Sequence, residues 1–64
     1  MRLSDFWTRM DERFGAGYAR SVARDLVLAD LGGRTVEQAL AAGLPARDVW
    51  QAVCEAFDIP ANQR

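Results

Sequence analysis

Hydrophobic residues in this chain recur every three or four positions, the period of an α-helix with one face turned to a core. In the first such stretch Phe6, Trp7, Met10 and Phe14 form an apolar stripe, while Asp5 and Arg9 lie one turn apart on the outside. The spacing predicts a helix over residues 5–14. Ser4 suits its N-cap, Asp5 suits the positive end of its dipole, and Gly15 and Gly17 end it. Helical spacing of apolar residues predicts burial directly, so Trp7 and its neighbours are read as core.

A second helix is predicted from Ala16 or Tyr18 to Asp30. Tyr18, Val22 and Leu26 share one face, and Ala19, Ala23 and Ala29 allow close approach. Leu26, Val27, Leu28 and Leu31 point around most of the circumference, which makes this helix the expected centre of the fold. Gly32 and Gly33 stop it, the first as a left-handed C-cap. Thr35 caps a third helix, and Gln38 three residues later completes a capping box. Val36, Ala39 and Leu40 face inward there. Gly43 ends this helix, and Pro45 leads into a fourth with its φ already set. On the fourth, Val49, Trp50, Val53, Cys54 and Phe57 form an apolar arc opposite Arg47, Asp48, Gln51, Glu55 and Asp58. Ile59 and Pro60 terminate it, and residues 61–64 read as a frayed tail. No strand-like alternation, repeat or linker interrupts the pattern. The fold class expected is all-α: a compact single-domain bundle of four short helices over residues 1–60, the last two in a helix-turn-helix-like arrangement.

Size narrows the chemistry. A chain of 64 residues buries barely enough surface to fold, whereas a catalytic pocket needs roughly 300 Å³ or more inside a rigid frame. The expectation is therefore a protein that is not an enzyme. Cys54 is the only cysteine and there is no histidine, which removes an intrachain disulfide, a zinc site and a cysteine–histidine nucleophile. The acids alternate with arginines in no EF-hand pattern, and Gly32-Gly33-Arg34-Thr35 lacks the lysine and preceding strand of a phosphate loop. No metal and no cofactor are expected. Arg2, Asp5 and Arg9 break any apolar run of the kind a leader or membrane span needs, so a cytoplasmic protein without membrane association is expected.

Charge then weighs the functional readings. Ala39, Gly43, Leu44 and Val49 stand where a helix-turn-helix places its small packing residue, turn glycine and buried apolar residues. Yet between positions 35 and 58 Arg47 faces Glu37, Asp48, Glu55 and Asp58, a net −3 that repels phosphate. Only Arg47 and Gln51 remain for base edges. The other arginines lie elsewhere: Arg2, Arg9 and Arg13 along one edge of the first helix, Arg20 and Arg24 a turn apart on the second. If the edges converge they form a basic face for an acidic protein segment or a nucleic acid. The plainer reading is that Asp5, Glu12 and Asp25 neutralise them in solvated pairs. Cys54 is read as a small core hydrophobe. Part of the apolar arc around Trp50 is surplus to a core this small and suits a groove or a homodimer face.

The residues MRLSDFW, Arg9-Met10, Phe14-Gly15, Tyr18-Ala19, the run Ser21-Val22-Ala23-Arg24-Asp25, Val27-Leu28, LGGRTVEQAL, Gly43, Val49-Trp50, Ala52, Cys54, Phe57 and Pro60 carry a family resemblance over residues 1–60. On them the chain resembles the small actinobacterial proteins of domain of unknown function 3046 (DUF3046). Leu44-Pro45-Ala46 departs from that family's acidic residue before the proline. The resemblance implies a GC-rich source, in keeping with eight arginines and no lysine. It implies no activity, substrate or catalytic residue. Family members are often encoded near recombination genes, which implies a link to DNA metabolism. The function expected is a non-enzymatic protein-protein interaction module with a protein partner. The alternative is a helix-turn-helix-like nucleic-acid-binding protein linked to DNA recombination or repair.

Overall fold

Helix α1 (Leu3–Phe14) begins two residues earlier than its serine predicts. Asp5 does the capping: its carboxylate accepts the main-chain N–H of Arg2 at 3.3 Å, while Ser4 lies inside the helix and its carbonyl accepts the Thr8 hydroxyl at 3.0 Å. An acid in the first turn can satisfy a free N–H from within, so a serine just before it is not required. This computed structural model describes the whole chain, Met1–Arg64.

Gly15 ends α1 by donating its N–H to the Asp11 carbonyl at 2.8 Å and opens α2 by accepting the Ala19 N–H at 2.8 Å. Its φ of 87° is a conformation glycine alone adopts without strain. Gly17 lies within α2 (Ala16–Asp25) and takes no part in the turn.

Helix α2 stops at Asp25, five residues short of the expected Asp30. Leu26 is extended, at φ −90° and ψ 121°. Strand β1 (Val27–Leu28) then pairs antiparallel with β2 (Arg34–Thr35), Val27 opposite Thr35 and Leu28 opposite Arg34. Between them Ala29–Leu31 forms a 3-10 turn closed by left-handed Gly32 (φ 70°) and Gly33 (φ 78°). A purely helical reading therefore needs correction at this hairpin. Leu-Val-Leu is as compatible with an extended segment as with a helix, and two adjacent glycines let the chain reverse within five residues, Ala29 to Gly33. The enclosed last turn expected of α2 is also absent: Leu28 and Leu31 are buried, whereas Val27 is 58% and Leu26 39% exposed. Tyr18, expected to face inward, is 64% exposed and rests at the edge of Phe14.

Helix α3 (Val36–Ala41) carries the predicted capping box. Thr35 Oγ1 accepts the Gln38 N–H at 3.1 Å, and Gln38 Oε1 accepts the Thr35 N–H at 2.9 Å. Its C-terminus is a Schellman turn: the Leu44 N–H donates to the Ala39 carbonyl and the Gly43 N–H to the Leu40 carbonyl, both at 3.1 Å, with Gly43 at φ 91°. Helix α4 (Ala46–Ala56) follows from Pro45 and ends in the same way. The Ile59 N–H donates to the Cys54 carbonyl at 3.0 Å, and Asp58 takes the left-handed position at φ 52°. This turn drives Ile59 into the core at 1% exposure.

Four helices thus enclose one core, as the periodicity predicts, with a two-stranded ribbon inserted between α2 and α3. Its centre is α4, which buries Val49, Trp50, Ala52, Val53 and Cys54, rather than α2, which buries only Ala19, Val22 and Ala23. Phe6 joins the two sides. It is fully buried and meets Trp7 and Trp50 edge-on, at centroid distances of 5.2 and 6.1 Å. Cys54 is fully buried, as its reading as a small core hydrophobe expects, and Trp50 is 5% exposed, so no surplus groove opens around Trp50 on α4. Phe57, half-buried, is taken up by Phe14 at 4.9 Å.

Candidate interaction surface

Trp7 and Arg9 are two residues apart on α1, and two helical residues point about 200° apart around the axis. That geometry separates the arginines. On the Trp7 flank the guanidinium of Arg20 lies 3.7 Å from the indole centroid, a stacked cation–π contact made across from α2. Arg24, one turn further, forks onto Asp25 with Nε–Oδ1 at 3.0 Å and Nη2–Oδ2 at 3.2 Å. The hydrogen bond from Arg24 holds the Asp25 carboxyl below the usual range, and the same bond raises Arg24. Arg9 and Arg13 occupy the opposite flank and turn toward the end of α4. Arg2 is exposed at the start of α1. The five arginines do not form a single basic face.

The flank of Arg9 and Arg13 meets residues 61–64. These residues, expected to fray, form a 3-10 turn (Ala61–Gln63) and lie along α1. Arg9 Nη1 donates to the main-chain oxygen of Arg64, and Arg13 Nη1 donates to Gln63 Oε1 at 3.4 Å. Arg64 is itself anchored, with Nε to the Ile59 carbonyl at 2.8 Å and Nη1 to Glu55 Oε1 at 3.3 Å. Between the two walls runs an open cleft of about 590 Å³ with no apolar lining residue. Asp5, Arg9, Glu12 and Arg13 supply one side, and residues 62–64 the other. Asp5 and Glu12 form no ion pair with Arg9 or Arg13; of the expected neutralising acids only Asp25 is paired. The two guanidinium groups lie one turn apart and donate to oxygens of residues 63 and 64 rather than to a carboxylate side chain.

Arg47 and Gln51 are exposed on the outer face of α4. Gln51 lies in a shallow cleft with Asp30, Asp48 and Glu55. Asp30 reaches this face from the 3-10 turn of the hairpin, so the surface that would read DNA is more acidic than the α3–α4 sequence alone indicates. Cys54 is buried, and loss of hydration pushes its thiol above the ordinary value. No group of three or more acidic or cysteine side chains is placed to hold a metal ion, and no helix is long and apolar enough to cross a membrane.

Sequence reasoning missed Asn62, Gln63 and Arg64 as parts of the α1 cleft. No periodicity marks them, because their placement follows from the left-handed turn at Asp58. Comparison with known proteins gives one family, described as a protein of unknown function (DUF3046), whose model matches residues 1–62. No curated protein and no solved structure matches the chain.

Proposed function

This chain belongs to the DUF3046 family, and from that premise we propose that it is a non-enzymatic protein-protein interaction module that grips a partner through the Arg9–Arg13 edge of α1. One observation carries the reading: neither arginine is ion-paired with an acidic side chain, and the two donate instead to the main-chain oxygen of Arg64 and the side-chain amide oxygen of Gln63. Guanidinium groups in an open polar cleft recognise main-chain and side-chain oxygens without demanding a deep pocket.

The full chain, immobilised, tests this by capture from native lysate with and without nuclease, beside an Arg9→Ala/Arg13→Ala double variant. The expected result is a set of proteins retained after nuclease and lost with the double variant. Capture abolished by nuclease, or indifferent to the double variant, overturns the reading. The second reading is a helix-turn-helix-like nucleic-acid binder linked to DNA recombination or repair, and the Schellman turn joining α3 and α4 favours it. It has to contend with Asp30, Asp48 and Glu55 around Gln51. Retarded migration of duplex DNA at about 0.15 M salt, lost with Arg47→Ala, would establish it.

A further inference from the structure

We propose that the groove between α4 and the hairpin docks a basic amphipathic helix of a partner protein, on a surface separate from the Arg9–Arg13 edge and independent of it.

The groove runs along the side of α4 turned away from Trp50. Its floor is apolar: Leu28 and Ala29 from the hairpin and Ala52 and Ala56 from α4 line a hollow of about 150 Å³. A second hollow, of about 220 Å³, continues it along α4, sharing Asp30, Ala52 and Glu55 and adding Asp48 and Gln51. Together they form one trough with small side chains below and acids on its rims. The alanines add no bulk, so the backbone of another helix can approach closely. No arginine lines either hollow. Glu55 accepts Arg64 Nη1 at 3.3 Å, whereas Asp30 and Asp48 form no ion pair. The rim therefore keeps two uncompensated carboxylates, one on each wall, and a third that already takes a guanidinium.

Charge selects the occupant. Phosphate backbones and acidic segments are repelled by this rim, whereas arginine or lysine on either flank of an apolar stripe matches both rim and floor. A second copy of the chain does not fit. Like acidic faces repel, and unlike faces make a head-to-tail contact that propagates instead of closing. Asp48 and Glu55 stand two turns apart on α4, about 10 Å along its axis, which is the spacing of cations two turns apart on a docked helix.

The test titrates the isotope-labelled full chain with a synthetic peptide of about 15 residues, alanine and leucine along one face and arginine on both flanks, followed by amide NMR shifts. A twin peptide carries glutamate in place of every arginine. The arginine peptide is expected to shift the amides of Ala29, Asp30, Ala52 and Ala56, and the twin to shift none. Asp30→Asn/Asp48→Asn removes both charges and keeps their shape, and is expected to weaken binding roughly fivefold, the size of two exposed ion pairs. Ala56→Arg obstructs the exposed end of the floor, at the end of α4 where a cation suits the helix dipole, and is expected to abolish binding. Absence of binding, equal binding of the twin, or indifference to both variants overturns the proposal. The Arg9→Ala/Arg13→Ala protein is expected to bind the peptide like wild type; loss of binding there places the peptide elsewhere and also overturns it. Capture of partner proteins through the Arg9–Arg13 edge stands or falls on its own experiment.

Discussion

Replacing Thr35 with valine isolates one piece of chemistry at the seam between the hairpin and α3. The side chain keeps its branched shape at a site that is 7% exposed, so packing is nearly conserved and only the hydroxyl is lost. That oxygen accepts the Gln38 N–H at 3.1 Å. The return bond, from the Thr35 N–H to Gln38 Oε1 at 2.9 Å, uses the main chain and survives. Losing an N-cap oxygen costs about 1 kcal/mol. Against a total stability of roughly 3–10 kcal/mol for a chain of this length, that is a large fraction, and it corresponds to a fall in Tm of about 4–8 °C. Urea unfolding followed by tryptophan emission reads the loss, because Trp50 is buried in the native state. The midpoint should fall with an unchanged slope. Gln38→Ala should cost less, and the double variant less than the two single losses together, because the two bonds hold one geometry. A loss below about 0.3 kcal/mol for Thr35→Val would show that the capping box is ornamental and that burial alone fixes the start of α3.

The two Schellman turns give predictions of opposite sign. At Gly43 an added Cβ meets nothing within 4 Å, so Gly43→Ala costs only its left-handed backbone, about 1 kcal/mol in urea unfolding. Asp58→Gly should gain a few tenths of a kcal/mol, because Asp58 already bears that penalty at φ 52°. Phe6→Ala removes the ring that joins both tryptophans and costs about 3–5 kcal/mol, read as the largest fall in urea midpoint of these variants. The Cys54 thiol is raised in the folded state by burial, so its contribution to stability is full below the unfolded thiol value of about 8.5. It declines as pH rises through that value toward the folded one. Urea midpoints between about pH 7 and 9.5 should show this decline, and Cys54→Ala should flatten it.

Features that depend on neighbours in sequence were legible. Thr35 with Gln38, Gly43, and the arc from Val49 to Phe57 are local patterns, and each takes its expected place. Features set by competition between conformations were not. Leu26, Val27 and Leu28 satisfy helix and strand equally, and what decides is the pair of left-handed glycines that brings Thr35 back beside Val27. Ser4 lost its capping role because the helix already starts at Leu3, where Asp5 accepts the Arg2 N–H and the Phe6 N–H is taken by the Arg2 carbonyl. The arginine edges show a different limit. Helical geometry gives the angle of Arg9 and Arg13 relative to Trp7, but what lies opposite them is fixed by the turn at Asp58, far away in sequence. Arg20 and Arg24 could be put on one helix from the sequence, but not over an indole and onto Asp25.

The pairing of Val27 with Thr35 also bears on the order in which the molecule comes together. It closes a short loop, an event of about 10–100 ns, and the residue that closes it is the one that starts α3. Hairpin and helix can therefore form as one local unit before α1 has found the far end of the chain. Substitutions at Thr35 should be felt chiefly in the refolding rate. Those at Arg13 or Gln63, whose contact spans most of the chain, should register in the unfolding rate alone.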